Sequence, residues 1–320
     1  MKKLRVGLIG ARDAGIPGLR LRHLAAGERA ELAALCCRTE PTRRDLARQY
    51  GVAGYERYDD LLADEGIDAV ILSTPNDLHY PIARAALEAG KSVCVEYPLC
   101  DSVEQHDALT ELATRRKLVL HHGMNTRLEF LYGAVKENLP RIGRPLLAEV
   151  TYFAGAGWYR DPNRRGSMFA ALHIAFIDYY TGFFGPPRWL TAAESRLCAP
   201  DAQHSLASVT LGFDGPVVGT VTYGTETISS PRPCLTVVGT DGHIRGDHGK
   251  VEIIRGPDGS RTEISSPPGF DPLAGDTDNF IAEVLDGSHA LCPLDYSRQL
   301  IARCWACAQS AASGRRIEFE

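Results

Sequence analysis

Apolar residues in the first part of the chain come in short, nearly unbroken runs: LRVGLIG, AELAALCC, IDAVILST, KSVCVEY and KLVLHH. Runs that are apolar on both faces are what parallel strands look like when helices cover them. Between them, DLHYPIARAALEAG has helical spacing, with Asn76 or Asp77 placed to cap its start and Gly90 to end it. In DSVEQHDALTELATRRK, Ser102 and Gln105 stand at the spacing of a capping box. Strands alternating with helices predict an N-terminal Rossmann domain, a doubly wound parallel sheet, over residues 1–122.

After a connecting helix around RLEFLYGAVKENLP the period changes. PLLAEVTYFAG, RWLTAAESRL, HSLASVTLGF, VVGTVTYGTE, CLTVVGT and KVEIIRG alternate as half-buried strands do. FDGP, TDGH and PDGS supply Asp-Gly pairs, and Asp-Gly favours the positive φ angles of tight hairpin turns. The pattern predicts a C-terminal α+β domain, residues 123–320, with a large, mostly antiparallel sheet. One face of that sheet is expected to be open to a ligand or to a second copy in a homo-oligomer. Helix returns from Thr277 to Gly314.

Composition narrows the class. A chain of 320 residues fits two domains at about 150 residues each. With 44% apolar and 23% charged residues and no apolar run near the roughly 18 residues of a membrane span, a globular, non-membrane protein is expected. MKKLRVGLIG enters a glycine-bounded strand without the features of a signal peptide, so the cytoplasm is the expected location. Nine cysteines, an odd number, read as reduced thiols rather than a disulfide framework. Cys304 and Cys307 form a C-x-x-C inside a helical pattern with no second ligand pair nearby, so they read as core residues and no metal site is expected. A net charge of −5 gives no electrostatic support for a nucleic-acid partner and leaves a small-molecule substrate as the expected one.

The first strand ends in GLIGARDAGIPGLRLRHL, where a dinucleotide fold places a glycine-rich turn against a pyrophosphate. Gly10, Ala11, Arg12 and Gly15 are the candidate cofactor residues, but Arg12 occupies the place of the second glycine of G-x-G-x-x-G. Two readings follow: a rearranged loop in which Arg12 contacts phosphate, or a fold that no longer binds a dinucleotide. The second strand ends in CCRTEPTRR, with Arg38 and Thr39 where an NAD enzyme carries an acid for the ribose. Arg38, helped by Thr39 and Arg43, could take a 2′-phosphate, so NADP(H) is expected over NAD(H). The plainer alternative puts Arg43 and Arg44 on a solvated helix face.

STPNDLHYPIARAALEAGKSVCVEYPL resembles the signature of the glucose-fructose oxidoreductase / inositol dehydrogenase family (Gfo/Idh/MocA), whose T-P-N-x-x-H and E-K-P segments flank a helix of this length. RPLLAEV, GWYRDPNRRGSMF and DYSRQLIARCWACAQSAASGRRIEF extend the likeness over essentially the whole chain. The resemblance implies a dinucleotide-binding domain, a mixed α/β substrate domain, and hydride transfer in the cleft between them. It implies that Ser73, Thr74, Pro75, Asn76 and His79 line the adenosine and ribose side of the cofactor, Glu96 the nicotinamide-side ribose, and Asn125 the nicotinamide amide. Without the family, His79 is a histidine in the first turn of a helix, where structural or solvated roles are common.

The catalytic positions depart from the family. Its sugar dehydrogenases relay protons through the lysine of E-K-P and through an aspartate and a histidine in G-G-x-x-x-D-x-G-x-H-x-x-D. Setting Asp178 on the last acid puts Gly166 on the first glycine and leaves Ala171 and Ala175 at the two relay positions. Tyr97 stands in place of the lysine. No base for a sugar hydroxyl is evident, which disfavours sugar-alcohol oxidation. His173, two residues from either position, is a candidate acid or base, or a core histidine.

The E-Y-P variant resembles biliverdin reductases, in which a tyrosine replaces the lysine and the sugar-dehydrogenase aspartate and histidine are absent. A phenol with a pKa near about 10 is protonated at neutral pH and suits proton donation to a conjugated acceptor. The leading expectation is therefore reduction of a C=C or C=N bond by NADPH, with Tyr97 donating or positioning the proton. Arg160, Arg164 and Arg165 in the basic WYRDPNRR loop, together with Asp178, are candidate substrate residues; an exposed loop is the alternative for the arginines. Two other readings stand beside it: an oxidoreductase of a sugar derivative or secondary-metabolite intermediate using His173, and a non-catalytic protein that keeps the fold.

Overall fold

The computed structural model describes residues 3–155, 169–199, 202–226, 234–256 and 259–319. The chain folds into two compact units. The first comprises Met1–Asn125 and Leu273–Ile301, the second Thr126–Pro272 and Ala302–Glu320.

The first unit is built from β1 (Leu4–Ile9), α1 (Gly15–Ala26), β2 (Ala30–Cys36), α2 (Glu40–Tyr50), β3 (Ala53–Tyr55), α3 (Tyr58–Leu62), β4 (Ala69–Leu72), α4 (His79–Glu88), β5 (Ser92–Glu96), α5 (Val103–Arg116) and β6 (Leu120–Gly123). Its six strands run in the order β3-β2-β1-β4-β5-β6, and each pairs with its neighbours in parallel. The expected strands are all present. β3 shows no sequence pattern because AGY is too short to display a period and lies on the sheet edge.

The helix starts differ from expectation in detail. Neither Asn76 nor Asp77 is the cap residue of α4: a 3-10 turn, Asn76–Leu78, leads into it, and Leu78 stands at the cap position without a side-chain cap bond. Gly90 does close the helix, at φ +78. At α5, Ser102 Oγ accepts from Gln105 N at 3.2 Å, but Gln105 Oε1 reaches back to Asp101 N rather than to Ser102 N, so the box closes one residue early.

The second unit holds α6 (Phe130–Asn138), β7 (Pro145–Gly155), α7 (Ile174–Phe184), β8 (Trp189–Ala199), β9 (Ala202–Gly212), β10 (Val218–Glu226), β11 (Cys234–Gly239), β12 (Gly242–Gly246), β13 (Lys250–Arg255) and β14 (Ser260–Ser265). Two helices follow, α8 (Pro272–Asp286) and α9 (Leu294–Ser313), then β15 (Ile317–Glu318). The nine-stranded sheet has the order β14-β13-β12-β11-β7-β10-β9-β8-β15, antiparallel except where β10 runs parallel to β7. Val150, Val221, Val209 and Leu211 are buried on one face, while Leu147, Glu149 and Thr151 are exposed on the other.

β12, β14 and β15 have no clear period in the sequence: GHIRG buries only its isoleucine among apolar side chains, and SRTEIS is an exposed edge strand. The Asp-Gly turns are not alike either. Gly215 and Gly259 take φ of +85 and +66, but Gly242 has no positive φ. A Cβ on Gly242 would stand 2.3 Å from Ile254 O, so close approach of β13 requires glycine there.

The expected division at residue 122 does not describe the C-terminal helices. Phe280 and Ile281 of α8 are buried in one core with Leu21 and Leu24 of α1 and with β1 and β2, and Ile301 of α9 joins the core on the other face of the sheet. A doubly wound sheet needs apolar cover on both faces, and the chain returns late to supply part of it.

Candidate functional site

Ile9, Cys36 and Leu72 lie in one register row across β2, β1 and β4, and Leu72 pairs on with Val95 of β5. The segments that follow these strands therefore leave the sheet along one edge, its C-terminal edge. The strand order reverses between β1 and β4, the crevice where doubly wound sheets bind ligands.

Gly10 and Ser73 face each other at that crevice. Gly10 has φ +91, and a Cβ on it would lie 2.3 Å from Ser73 O, so no other residue fits without moving the backbone. Gly10 N and Ala11 N both donate to Cys36 O at 3.0 Å, which ties the loop to the end of β2. Ala11 is buried and Arg12 exposed. Helix α1 begins at Gly15, φ +66, with no side chain capping its first turn. An uncapped helix start of this kind offers backbone amides and the positive end of a dipole to an anion.

Arg38 and Thr39 are exposed just beyond β2. Arg43 is not a free helper: its Nη1 donates to Cys37 O at 2.9 Å and its Nη2 pairs with Glu56 at 3.4 Å, which braces the Arg38 turn. Beyond β4, Ser73, Thr74, Pro75 and Asn76 are half-buried. Ser73 Oγ and Thr74 Oγ1 are buried atoms without a hydrogen-bond partner, as is Glu96 Oε2 at the end of β5. Orphaned acceptors and hydroxyls are costly unless a ligand meets them. Asn125, buried, follows β6.

Glu96 is held from behind. Its Oε1 accepts from Arg20 Nε at 2.9 Å. Arg20, fully buried on α1, also donates to Asp276 Oδ2 at 2.5 Å, Thr277 Oγ1 at 2.5 Å and Leu273 O at 3.1 Å. Asp276 Oδ1 in turn meets His121 Nε2 at 3.2 Å, and His121 Nδ1 meets Glu283 Oε1 at 2.6 Å. Burial opposes the His121 cation, but hydrogen bonds to Asp276 and Glu283 overcome it and lift the pKa to about 9. Two cations thus face three carboxylates. Burial raises the Glu96 carboxyl above its ordinary range against the pull of Arg20, which marks Glu96 as the carboxylate least well compensated.

Tyr97 follows Glu96, half-buried, and the Tyr97-Pro98 peptide is cis. His79 does not reach out along the cofactor edge as the resemblance implied: it is buried, with Nδ1 2.7 Å from Pro98 O and Nε2 3.0 Å from Thr74 O. Burial lowers its pKa.

The second unit's candidates are engaged within that unit. Asp178 is fully buried on α7, where Arg127 Nη2 and Nε approach its Oδ1 at 2.9 and 3.0 Å and Thr126 Oγ1 donates to Oδ2 at 3.0 Å. A carboxylate so engaged pins the start of the second unit instead of meeting a substrate. His173 is fully buried between Phe169 and Tyr223, with Nε2 3.1 Å from Ala207 O. A buried ring that donates to a carbonyl fits the core reading and is poorly placed as an acid or base. Arg160, Arg164 and Arg165 lie outside the described residues.

Sequence reading missed Arg20, His121, Asp276 and Glu283. The signal was present in part: an arginine within the apolar RLRHL helix and a histidine pair inside the apolar VLHHG strand. Their partners sit more than 150 residues further along, where no local pattern links them. Cys304 and Cys307 are buried on α9, and among the described residues no helix is long and apolar enough to cross a membrane.

Comparison with known proteins agrees with this arrangement. Residues 4–124 match the Gfo/Idh/MocA oxidoreductase family's NAD-binding Rossmann fold, and residues 140–245 match the Gfo/Idh/MocA C-terminal domain. The chain belongs to this family. Among curated members, it is 34% identical over 141 residues to dTDP-3,4-didehydro-2,6-dideoxy-α-D-glucose 3-reductase of Streptomyces violaceoruber, 42% of this chain and 41% of that protein. It is 30% identical over 166 residues to an uncharacterised oxidoreductase of Synechocystis sp., 47% of this chain and 45% of that one. These matches span less than half the length of each relative. Among solved structures, biliverdin reductase of Synechocystis sp. PCC 6803, in complex with biliverdin and NADP+, superposes with a TM-score of 0.87 at 25% identity, covering 97% of this chain and 99% of that one.

Proposed function

We propose that this protein is an NADPH-dependent reductase of a conjugated C=C or C=N bond. The observation that carries the reading is the sheet edge itself: orphaned Ser73 Oγ, Thr74 Oγ1 and Glu96 Oε2 lie along the same C-terminal rim as the close Gly10 turn, and Tyr97 follows directly. These residues fit a dinucleotide. When bound, the reduced nicotinamide supplies the hydride. The uncapped start of α1 and the Gly10 turn would take the diphosphate, with Arg12 free to swing toward it; Arg38 and Thr39 would take a 2′-phosphate. The Ser73 and Thr74 hydroxyls and Glu96 Oε2 would meet ribose hydroxyls. NADP(H) is preferred because a guanidinium and a hydroxyl, not a carboxylate, follow β2.

An ordinary phenol holds its proton at neutral pH, so Tyr97 Oη is, in this reading, the proton-donating or positioning group. The likeness to a biliverdin-bound, NADP+-bound reductase supports a conjugated acceptor of that kind. A second reading, reduction of a keto-sugar derivative, is supported by the dTDP-sugar 3-reductase relative. In that case too the buried His173 leaves Tyr97 as the better proton source.

NADPH oxidation measured against a panel of bilins, cyclic imines and nucleotide-linked keto sugars separates the two readings. Tyr97→Phe is expected to lower kcat by about 100-fold, the scale of a lost general acid. An unchanged rate removes Tyr97 from the mechanism, and no thermal shift with NADPH or NADH at millimolar concentration returns the protein to the non-catalytic reading.

A further inference from the structure

Two buried histidines grip the turn that carries Tyr97, and neither has a place in the cofactor edge itself. His79, from the start of α4, reaches Pro98 O at 2.7 Å and Thr74 O at 3.0 Å. Both partners are acceptors, so a neutral ring donates to one of them, and the shorter contact assigns that proton to Nδ1. His122, from β6, accepts at Nε2 from Leu99 N at 3.2 Å. An amide can only donate, so His122 Nε2 carries no proton and its ring hydrogen is on Nδ1. That hydrogen points to Ser297 Oγ at 2.8 Å, and Ser297 can then donate to His106 Nε2, 3.2 Å away. The directions of the whole chain of bonds follow from one backbone amide. Burial, with His106 and His121 nearby, lowers the His122 pKa to about 3, in keeping with a ring that must stay neutral to accept.

We propose that His79 and His122 are positioning residues for Tyr97: one holds Pro98 O, the other Leu99 N, and together they fix the turn so that the phenol keeps a single place at the strand edge. This rests on the reading of Tyr97 as the proton-donating group. A donor held on two sides by buried bonds loses little orientation freedom when substrate arrives, and small displacements of a reacting group are costly in rate.

The test compares variants that keep or remove single atoms. Glutamine at position 122 can place Oε1 near Nε2, and leucine cannot; asparagine at position 79 can place Nδ2 near Nδ1, and leucine cannot. Hydrogen exchange at Leu99 N, followed by NMR on the full-length protein, reads the grip directly without any substrate. Steady-state NADPH oxidation then reads kcat and KM. His122→Leu is expected to speed Leu99 exchange by about tenfold or more and to lower kcat by about tenfold with KM little changed, while His122→Gln restores both. His79→Leu and His79→Asn form a second pair with the same expected contrast in kcat. In a Tyr97→Phe background His122→Leu should cost nothing further.

Unchanged Leu99 exchange and kcat in both leucine variants would overturn the proposal, as would equal losses in the leucine and amide variants. A loss that persists in full in the Tyr97→Phe background would also overturn it, because the histidine would then act through something else. If Tyr97→Phe alone keeps full activity, the proton-donor reading falls and the positioning role falls with it. If Tyr97→Phe is impaired but the histidine variants are silent, only the positioning role falls.

Discussion

Arg20 Nη2 and Asp276 Oδ2 meet at 2.5 Å with neither side chain exposed to solvent. This pair joins the helix after the first strand to a helix more than 250 residues later, inside one compact unit. It also stands directly behind Glu96, so the fold and the candidate cofactor edge share one charged element.

Removing one member of a buried ion pair leaves an uncompensated charge, and the cost exceeds the worth of the pair. Arg20→Met is expected to destabilise the protein by about 3–5 kcal/mol, since Glu96 loses its guanidinium partner and Asp276 is left with His121 alone. Arg20→Lys should cost less but not be silent, because an ammonium cannot reproduce the guanidinium's fork to Glu96, Asp276, Thr277 and Leu273 O. Urea midpoints at pH 7 check both.

Stability should pass through a maximum near pH 6.5. His121 has its folded pKa raised from 6.5 to about 9, so its contribution is full below about 6.5 and is lost as pH rises toward 9. His122 is shifted the other way, to about 3, and His79 and His106 are also lowered, each chiefly by burial. For these the unfolded chain binds the proton first, so stability falls as pH drops below 6.5. Each limb should approach about 1.4 kcal/mol per pH unit for each histidine fully in its window. Denaturant titrations from pH 5 to pH 10, with His121→Gln expected to flatten the alkaline limb, test the assignment.

Gly10 and Gly15 differ in kind. Gly10→Ala forces a Cβ against Ser73 O at 2.3 Å as well as an unfavourable φ, whereas at Gly15, φ +66, only Pro17 Cδ lies within contact, at 3.9 Å. Gly15→Ala should cost about 1–2 kcal/mol, the left-handed penalty alone. Gly10→Ala should cost more and should abolish the NADPH-induced thermal shift, because the loop must leave the crevice. Thermal melts with and without NADPH separate the two.

Arg38→Ala should weaken NADPH binding by about 10–100-fold, the worth of a charge-assisted phosphate contact of about 1.5–3 kcal/mol. NADH binding should change little, since it lacks the 2′-phosphate. Calorimetric titration of both cofactors measures the ratio; equal affinities in the unsubstituted protein would remove the preference for NADP(H).

Local rules made much of this molecule readable from its sequence. Parallel strands covered on both faces must be continuously apolar, so LRVGLIG, IDAVILST and KSVCVEY declared themselves, and the alternation in PLLAEVTYFAG and HSLASVTLGF marked the second sheet. Gly10 and Arg38 could be singled out because each stands at a fixed place relative to a strand end, whereas Ser73 and Tyr97 were reached through the likeness to the Gfo/Idh/MocA signature. Short or exposed strands such as AGY and SRTEIS lack enough periods to register.

Tertiary structure alone decided which polar residues are fixed within the protein. His79, His173 and Asp178 are of types that serve as site residues, and only their burial and partners show them bound to Pro98 O, Ala207 O and Arg127. Likewise nothing near Arg20 in the chain reveals Asp276, nor anything near His122 the amide of Leu99. Hydrophobic periodicity is a property of neighbouring residues and survives in one dimension. The pairing of a buried charge or proton is set by groups brought together from distant parts of the chain, and only the folded arrangement specifies it.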